Sequence, residues 1–383
     1  MLLTEFQVQK FRNVLDSSPI PVESQVTCLV GKNESGKTAL LQALYRVKPA
    51  YEEVFDLDEQ YPRWLKVRDV KSGAASQAEP IRAVFLLSDA DKEAIRNEFG
   101  EGVLTSDTFT LSIKYSGNPT AQCAVDEAVF VKRIVDSVEL ATSIRESLGR
   151  CKSVDALRAA LGELRDAPQT DEDDESSQII QNAVRVIESV LTRVLGTATL
   201  WHQVANTLRQ RIPTFFYFSD YNILTGRLNL QELAPNGSDK PAATALQTAR
   251  ALLQLAGTDV VSLSDENYEI RKAELEAVSN ELTSQVFEYW TQNEDLSVDI
   301  DVDKQTESQY NGQVAVARYL DVRVRDRRHG YTNNFGQRSS GFQWFFSFLA
   351  AFSEFEHSDM GVIVLLYRLR RKSLHLGERW RGR

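Results

Sequence analysis

Apolar residues recur along the chain with two periods, and the switches between them mark out its parts. The opening alternates: Phe6, Val8 and Phe11 stand among Gln7, Gln9 and Lys10. The turn-rich Asp16-Ser17-Ser18-Pro19 follows, and then the β-forming run Val26-Thr27-Cys28-Leu29-Val30. This predicts strand, turn, strand. A glycine loop comes next, with a helix from about Lys37 to Val47 whose Leu40, Leu41, Leu44 and Val47 share a face. Apolar β-formers at Ile81–Leu87 and Thr108–Tyr115 predict two more strands.

From about Val131 to Asn293 the period is mostly helical. Ile180, Val184, Ile187, Leu191 and Val194 form one stripe, and Leu275, Val278, Leu282, Val286 and Tyr289 another. The acidic run Asp171 to Glu175 reads as a solvated loop between helices. One β-rich segment interrupts them, Thr214-Phe215-Phe216-Tyr217-Phe218, entered by Pro213. It reads as a buried strand returning to the core sheet. Alternation resumes at Ser297–Asp303, where Val298, Ile300 and Val302 face away from Asp299, Asp301 and Asp303. Three aspartates on one face suggest a metal site, but no His or Glu converges with them, so a solvated edge-strand face is the better reading. Leu320, Val322 and Val324 alternate with Asp321, Arg323 and Arg325 in a second such strand. No internal repeat is visible.

Composition adds exclusions. At 383 residues, 42% hydrophobic and 26% charged, the chain is an ordinary globular sequence with room for two domains or one large domain with an insertion. Cys28, Cys123 and Cys151 are odd in number and far apart, which argues against a disulfide framework or zinc site and fits a reducing cytoplasm. The N-terminus has no continuous apolar segment and is not a signal peptide. The apolar run Val362–Leu366 is too short to span a bilayer, so the chain is expected to be soluble, with no membrane partner. Its net charge is −10, although the last seventeen residues hold seven Arg or Lys against one Glu. The acidic body argues mildly against unaided nucleic-acid binding, though the total can mask a basic groove.

The strongest chemical signal is Gly31-Lys32-Asn33-Glu34-Ser35-Gly36-Lys37-Thr38, a full match to GxxxxGK[ST]. Its glycines let the backbone curl so that the N–H groups of Asn33, Glu34, Ser35 and Gly36 form an anion nest. Lys37 reaches the β- and γ-phosphates, the Thr38 hydroxyl ligates Mg²⁺, and the following helix turns its dipole on the phosphates. The cofactors expected are ATP and Mg²⁺.

Two further motifs carry a resemblance. Phe6-Gln7-Val8-Gln9-Lys10-Phe11-Arg12-Asn13, some twenty residues before the glycine loop, is similar to the opening of the RecF, SMC and OLD-type ATPases. Arg338-Ser339-Ser340-Gly341-Phe342-Gln343-Trp344-Phe345 resembles their signature motif. The OLD-type "AAA family ATPase" proteins of bacteria look closest, through SSGFQWFFSFL and PTFFYFSDYNIL. The resemblance implies an α/β fold: a P-loop, ABC-like ATPase head with a mostly helical insertion. The head would comprise an N-terminal lobe over 1–130 and a C-terminal lobe over 295–366, with the insertion over 131–294 and an off-pattern basic tail over 367–383.

In that family, the signature surface meets the γ-phosphate held by the other subunit. Ser339, Ser340, Gly341 and Gln343 would make this contact in trans, with Ser339 or Ser340 capping the helix through Phe346, Leu349 and Phe352. The alternative is an ordinary capped core helix. Arg12 is either a nucleotide contact, as its counterpart is in relatives, or a surface residue. Gln60 is a weaker candidate for the Q-loop glutamine.

The pattern breaks at Walker B. Family members end the strand after the signature helix in Asp-Glu, whereas here Val362–Leu366 runs into Tyr367 and Arg368, which can neither ligate magnesium nor act as a general base. A truncated or frame-disrupted sequence would look this way, and the Toprim nuclease of OLD relatives is expected to be missing. The leading expectation is thus an ATP-binding head that forms a homodimer on ATP and regulates DNA processing or defence, with DNA or a nuclease as further partner and with hydrolysis impaired. The alternatives are a non-catalytic, nucleotide-responsive interaction protein and, well behind, a small-molecule phosphotransferase.

Overall fold

A computed structural model describes residues 1–140, 142–166, 174–219, 222–233, 244–263, 267–290, 293, 295–308, 314–356 and 363–367. Two compact units result, one built mainly from residues 1–216 and the other mainly from 217–361.

In the first unit, β1 (Leu2–Phe11) buries Leu3, Phe6, Val8 and Phe11. It joins β2 (Val14–Asp16), β3 (Ile20–Pro21), β4 (Ile81–Leu86), β5 (Thr108–Ile113) and β6 (Pro119–Gln122) in one antiparallel sheet. The order is β2-β1-β4-β5-β6, with β3 beside β1. The strands predicted at 81–87 and 108–115 are both present, and Ile81, Ala83, Phe85 and Phe109 are fully buried.

Five helices punctuate these strands: α1 (Lys37–Tyr45), α2 (Leu57–Gln60), α3 (Arg63–Lys71), α4 (Ala74–Gln77) and α5 (Asp89–Phe99). The last begins in a capping box between Ser88 and Asp91. Burial pushes the Asp91 carboxyl up, but the Met1 amine, Ser88 and Arg211 outweigh it and hold the group at about 2. A helical stretch follows, with α6 (Glu127–Asp136), α7 (Thr142–Gly149), α8 (Val154–Asp166), α9 (Asp174–Leu195) and α10 (Leu200–Gln210). Val184, Ile187 and Leu191 are buried, as their spacing predicts. Of the expected acidic loop, Asp171–Asp173 lie outside the described residues, and α9 begins at Asp174.

The aromatic segment is β7 (Thr214–Phe218), with Phe215, Phe216 and Phe218 fully buried. It does not join the large sheet. Its ladder runs with a short C-terminal strand, and Phe215 also bridges in parallel to Pro49.

The second unit opens with β8 (Arg227–Asn229) and the helices α11 (Leu230–Leu233), α12 (Thr244–Leu255), α13 (Val260–Leu263) and α14 (Tyr268–Tyr289). On α14, Leu275, Val278, Leu282 and Val286 are buried, but Tyr289 is 46% exposed and Trp290 takes the inward position instead. The alternating segments form the hairpin β9 (Leu296–Ser308) and β10 (Val314–Asp326). Val298 and Ile300 face inward with Leu320, Val322 and Val324, while Asp299 and Asp301 face solvent and Asp303 pairs with Arg227 at 2.7 Å. β11 (Tyr331–Asn334) and β8 pair with β10. A 3₁₀ turn, Phe335–Gln337, leads into α15 (Ser340–Glu356), which buries Phe342, Phe345, Phe346 and Ala350. β12 (Ile363–Tyr367) is the partner of β7. Among the described residues, no helix is long and apolar enough to cross a membrane.

Candidate nucleotide site

The glycine loop sits between an unstructured approach and the start of α1. The strand expected at Val26–Val30 is not formed. Val26 is 59% and Val30 93% exposed, and no strand among the described residues pairs with the segment. A β-forming run becomes a strand only where a neighbour completes its ladder. This corrects the expected buried strand before the loop.

The loop itself has the predicted curl. Glu34 (φ 64°) and Gly36 (φ 92°) are both left-handed, and the Ser35 N–H donates to the Lys32 carbonyl at 3.3 Å. Glycine is required at 36 twice over. Its φ suits no other residue well, and a Cβ there would stand 2.9 Å from Val14 Cγ2. As the N-cap of α1, Gly36 offers no side chain to occupy the helix's free N–H groups, and no acidic residue stands in the first turn. Lys37 Nζ donates to the carbonyls of Gly31 (2.9 Å) and Lys32 (2.6 Å) and lies 3.4 Å from Ser35 Oγ. Asn33, Glu34 and Ser35 are exposed, and Thr38 follows Lys37 at the helix start. Free N–H groups, an ammonium and a hydroxyl around one short loop form an arrangement suited to a phosphate chain and its magnesium.

The other end of α1 is anchored by Arg46. It is buried between the rings of Phe11 and Phe55 and bonded to the Gln42 and Val54 carbonyls and to Glu53. Burial lowers the pKa of this guanidinium, with Glu53 opposing. The buried face of α1 is Ala39, Ala43, Leu44 and Tyr45, whereas Leu40 and Leu41 are only half-buried.

The turn after β1 reaches the loop. Lys10 (φ 50°) and Arg12 (φ 53°) are left-handed without being glycine. Three contacts hold them: Arg12 N–H donates to the Gln60 carbonyl (2.6 Å), Tyr115 Oη donates to the Lys10 carbonyl (2.8 Å), and Lys10 Nζ meets Asp69 (3.0 Å). Asp69 is buried. Hydrogen bonds from Tyr61, Arg68 and Lys10 hold its carboxyl well below the usual range. Arg12 itself is exposed, over the Phe11 ring at 5.6 Å. The Gln60 side-chain oxygen accepts from the Asp56 N–H inside its own turn.

In the second unit, the signature residues start α15. Ser339 is the capping residue, its Oγ accepting from the Phe342 N–H at 3.4 Å. Ser339 and Ser340 are exposed, and a Cβ on Gly341 would meet nothing within 4 Å among the described residues. Gln343 turns inward, with its Nε2 near the carbonyls of Phe335 (3.3 Å), Gly336 (2.8 Å) and Arg338 (2.9 Å). Arg338 stacks over Phe342, and its Nε is buried with no hydrogen-bond partner among the described residues.

Three residues in and around this turn carry no sequence signal of their own. Asn334 donates to the Gly226 carbonyl, a Cβ on Gly226 would overlap the Asn334 carboxamide, and buried Ser347 accepts the Leu224 N–H. Only a fold that folds the 224–226 segment against the turn could reveal them. After β12, the position of Arg368 lies outside the described residues.

A search of curated proteins finds no match to the chain. A family model described as the AAA ATPase domain matches residues 1–195, a stretch that contains the glycine loop, α1 and the turn after β1. That match spans just over half of the sequence, and the chain belongs to the AAA ATPase domain family of P-loop, nucleotide-binding ATPases.

Proposed function

We propose that this chain is the ATP-binding head of an ATPase of the OLD and RecF-like group, one that forms a homodimer on ATP and governs a DNA-processing or defence activity in the cytoplasm. The observation that carries the reading is the loop at residues 31–38: two left-handed residues, an uncapped helix start and Lys37 closing over the backbone. ATP phosphates would replace the carbonyls now bonded to Lys37, and Thr38 would hold Mg²⁺. Bound there, the metal would neutralise charge on the phosphates. Dimerisation is supported by exposed Ser339 and Ser340 and by the space over Gly341, where a Cβ would meet nothing within 4 Å among the described residues. DNA or a nuclease is the further partner implied.

Hydrolysis is proposed to be impaired. In the sequence, the run Val362–Leu366 is followed by Tyr367 and Arg368 in place of the carboxylates that position magnesium and water in phosphoryl transfer. The same feature favours the second reading, a non-catalytic head that responds to nucleotide and docks on a partner. Sedimentation with and without Mg·ATP, run beside a phosphate-release assay, separates the outcomes. ATP-dependent dimers with little phosphate release support an impaired head. Ordinary turnover abolished by Lys37→Ala overturns the impairment, and monomers at saturating ATP overturn the dimer.

A further inference from the structure

The turn after β1 contains a residue to which neither the loop motif nor the resemblance gives a task. Asn13 is exposed, yet its Nδ2 donates to the Glu34 carbonyl at 3.0 Å. Glu34 is the non-glycine residue of the loop held at φ 64°, a conformation that costs about 1 kcal/mol or more and persists only when its surroundings fix it. Asn13 and its neighbour also form the wall beside Gly36, with Val14 Cγ2 at 2.9 Å and the Asn13 carboxamide at 3.6 and 3.7 Å from where a Cβ would stand.

We propose that Asn13 is a positioning residue of the phosphate loop, one that sets the direction of the Ser35 N–H. In a planar trans peptide, the carbonyl of one residue and the N–H of the next point in opposite directions. Drawing the Glu34 carbonyl to Asn13 therefore turns the Ser35 N–H to the opposite side of the peptide, where it donates to the Lys32 carbonyl at 3.3 Å and where a bound phosphate would take that carbonyl's place. Asn13 can do this because its own backbone is fixed. The preceding turn is clamped by the Arg12–Gln60, Tyr115–Lys10 and Lys10–Asp69 contacts. The clamp explains why two strained residues, Lys10 and Arg12, stand just before it.

This inference rests on the nucleotide-site reading, so its test must fail separately from that reading. Fluorescent ATP and ADP analogues are titrated into wild type, Lys37→Ala, Asn13→Leu and Asn13→His, with melting temperatures measured alongside. If wild type binds neither nucleotide, both the nucleotide reading and this inference fall. If wild type binds, Asn13→Leu keeps the volume but loses the donor, and ATP and ADP should both weaken by roughly tenfold with Tm unchanged. Asn13→His, which keeps an N–H, should stay within about threefold of wild type. Affinity for Asn13→Leu within twofold of wild type overturns the proposal while leaving the nucleotide reading intact. Should Asn13→Leu lower Tm, the neutral Asn13→Ala decides: a comparable loss of affinity at unchanged Tm supports the role, and unaltered affinity overturns it.

Discussion

The phosphate loop and the signature turn are both glycine-containing starts of α-helices, yet they are held in opposite ways. The loop at 31–35 is exposed, strained at Glu34, turned at the left-handed Gly36, uncapped, and fastened from outside by Asn13. The signature turn is fastened from within. Ser339 caps α15, Gln343 gathers three carbonyls, and Phe342 lies among the rings of Phe335, Phe346 and Trp290. A helix start that must receive an anion keeps its N–H groups unspent and borrows rigidity from a neighbouring turn. One that presents a preformed surface can satisfy itself.

The sharpest way to break the contrast is through the glycines. Gly226→Ala should cost about 3 kcal/mol, because the new methyl overlaps the Asn334 carboxamide and stands 2.8 Å from the Gly336 N–H. Calorimetric melting should show a Tm lowered by roughly 6–12 °C. Gly36→Ala is expected to weaken ATP by roughly fiftyfold in equilibrium titration, since it meets both an adverse φ and Val14. An unchanged affinity there would mean the loop is softer than its contacts indicate.

How much of this the sequence disclosed follows the same division. Local chemistry was legible: GKNESGKT marked the loop, and the alternations at Val298–Val302 and Leu320–Val324 marked two strands and their inward faces, though not their pairing as a hairpin. Partners distant in sequence were not. The period of Val26–Val30 is that of a strand, but a strand is a property of a pair, and no described segment supplies the other half. Likewise, nothing local to Gly226, Asn334 or Asn13 announces the backbone each one touches.

Acid should sharpen the picture of the first unit. Asp91 is held at about 2 against an ordinary 3.8, so its stabilisation is complete above pH 3.8 and is lost as pH falls through about 2. Melting curves of wild type should therefore slope downward between pH 4 and 2, and Asp91→Asn should be less stable at pH 7 but flatter across that window. The smallest effect expected is at Gly341. Its Cβ site meets nothing within 4 Å among the described residues, so Gly341→Ala should leave ATP affinity unchanged and raise helix stability by up to about 0.5 kcal/mol, read as a slight rise in Tm. If the signature acts in trans, the same variant loses ATP-dependent dimers in sedimentation.

The central claim is that residues 31–38 bind the phosphates of ATP, and calorimetric titration of Mg·ATP into wild type and Lys37→Ala tests it most directly. Wild type should bind saturably, one to one, and the variant should be weaker by roughly fiftyfold or more at unchanged Tm, as expected for loss of a charge-assisted contact. No heat of binding with wild type, or equal affinity in the two proteins, would contradict it.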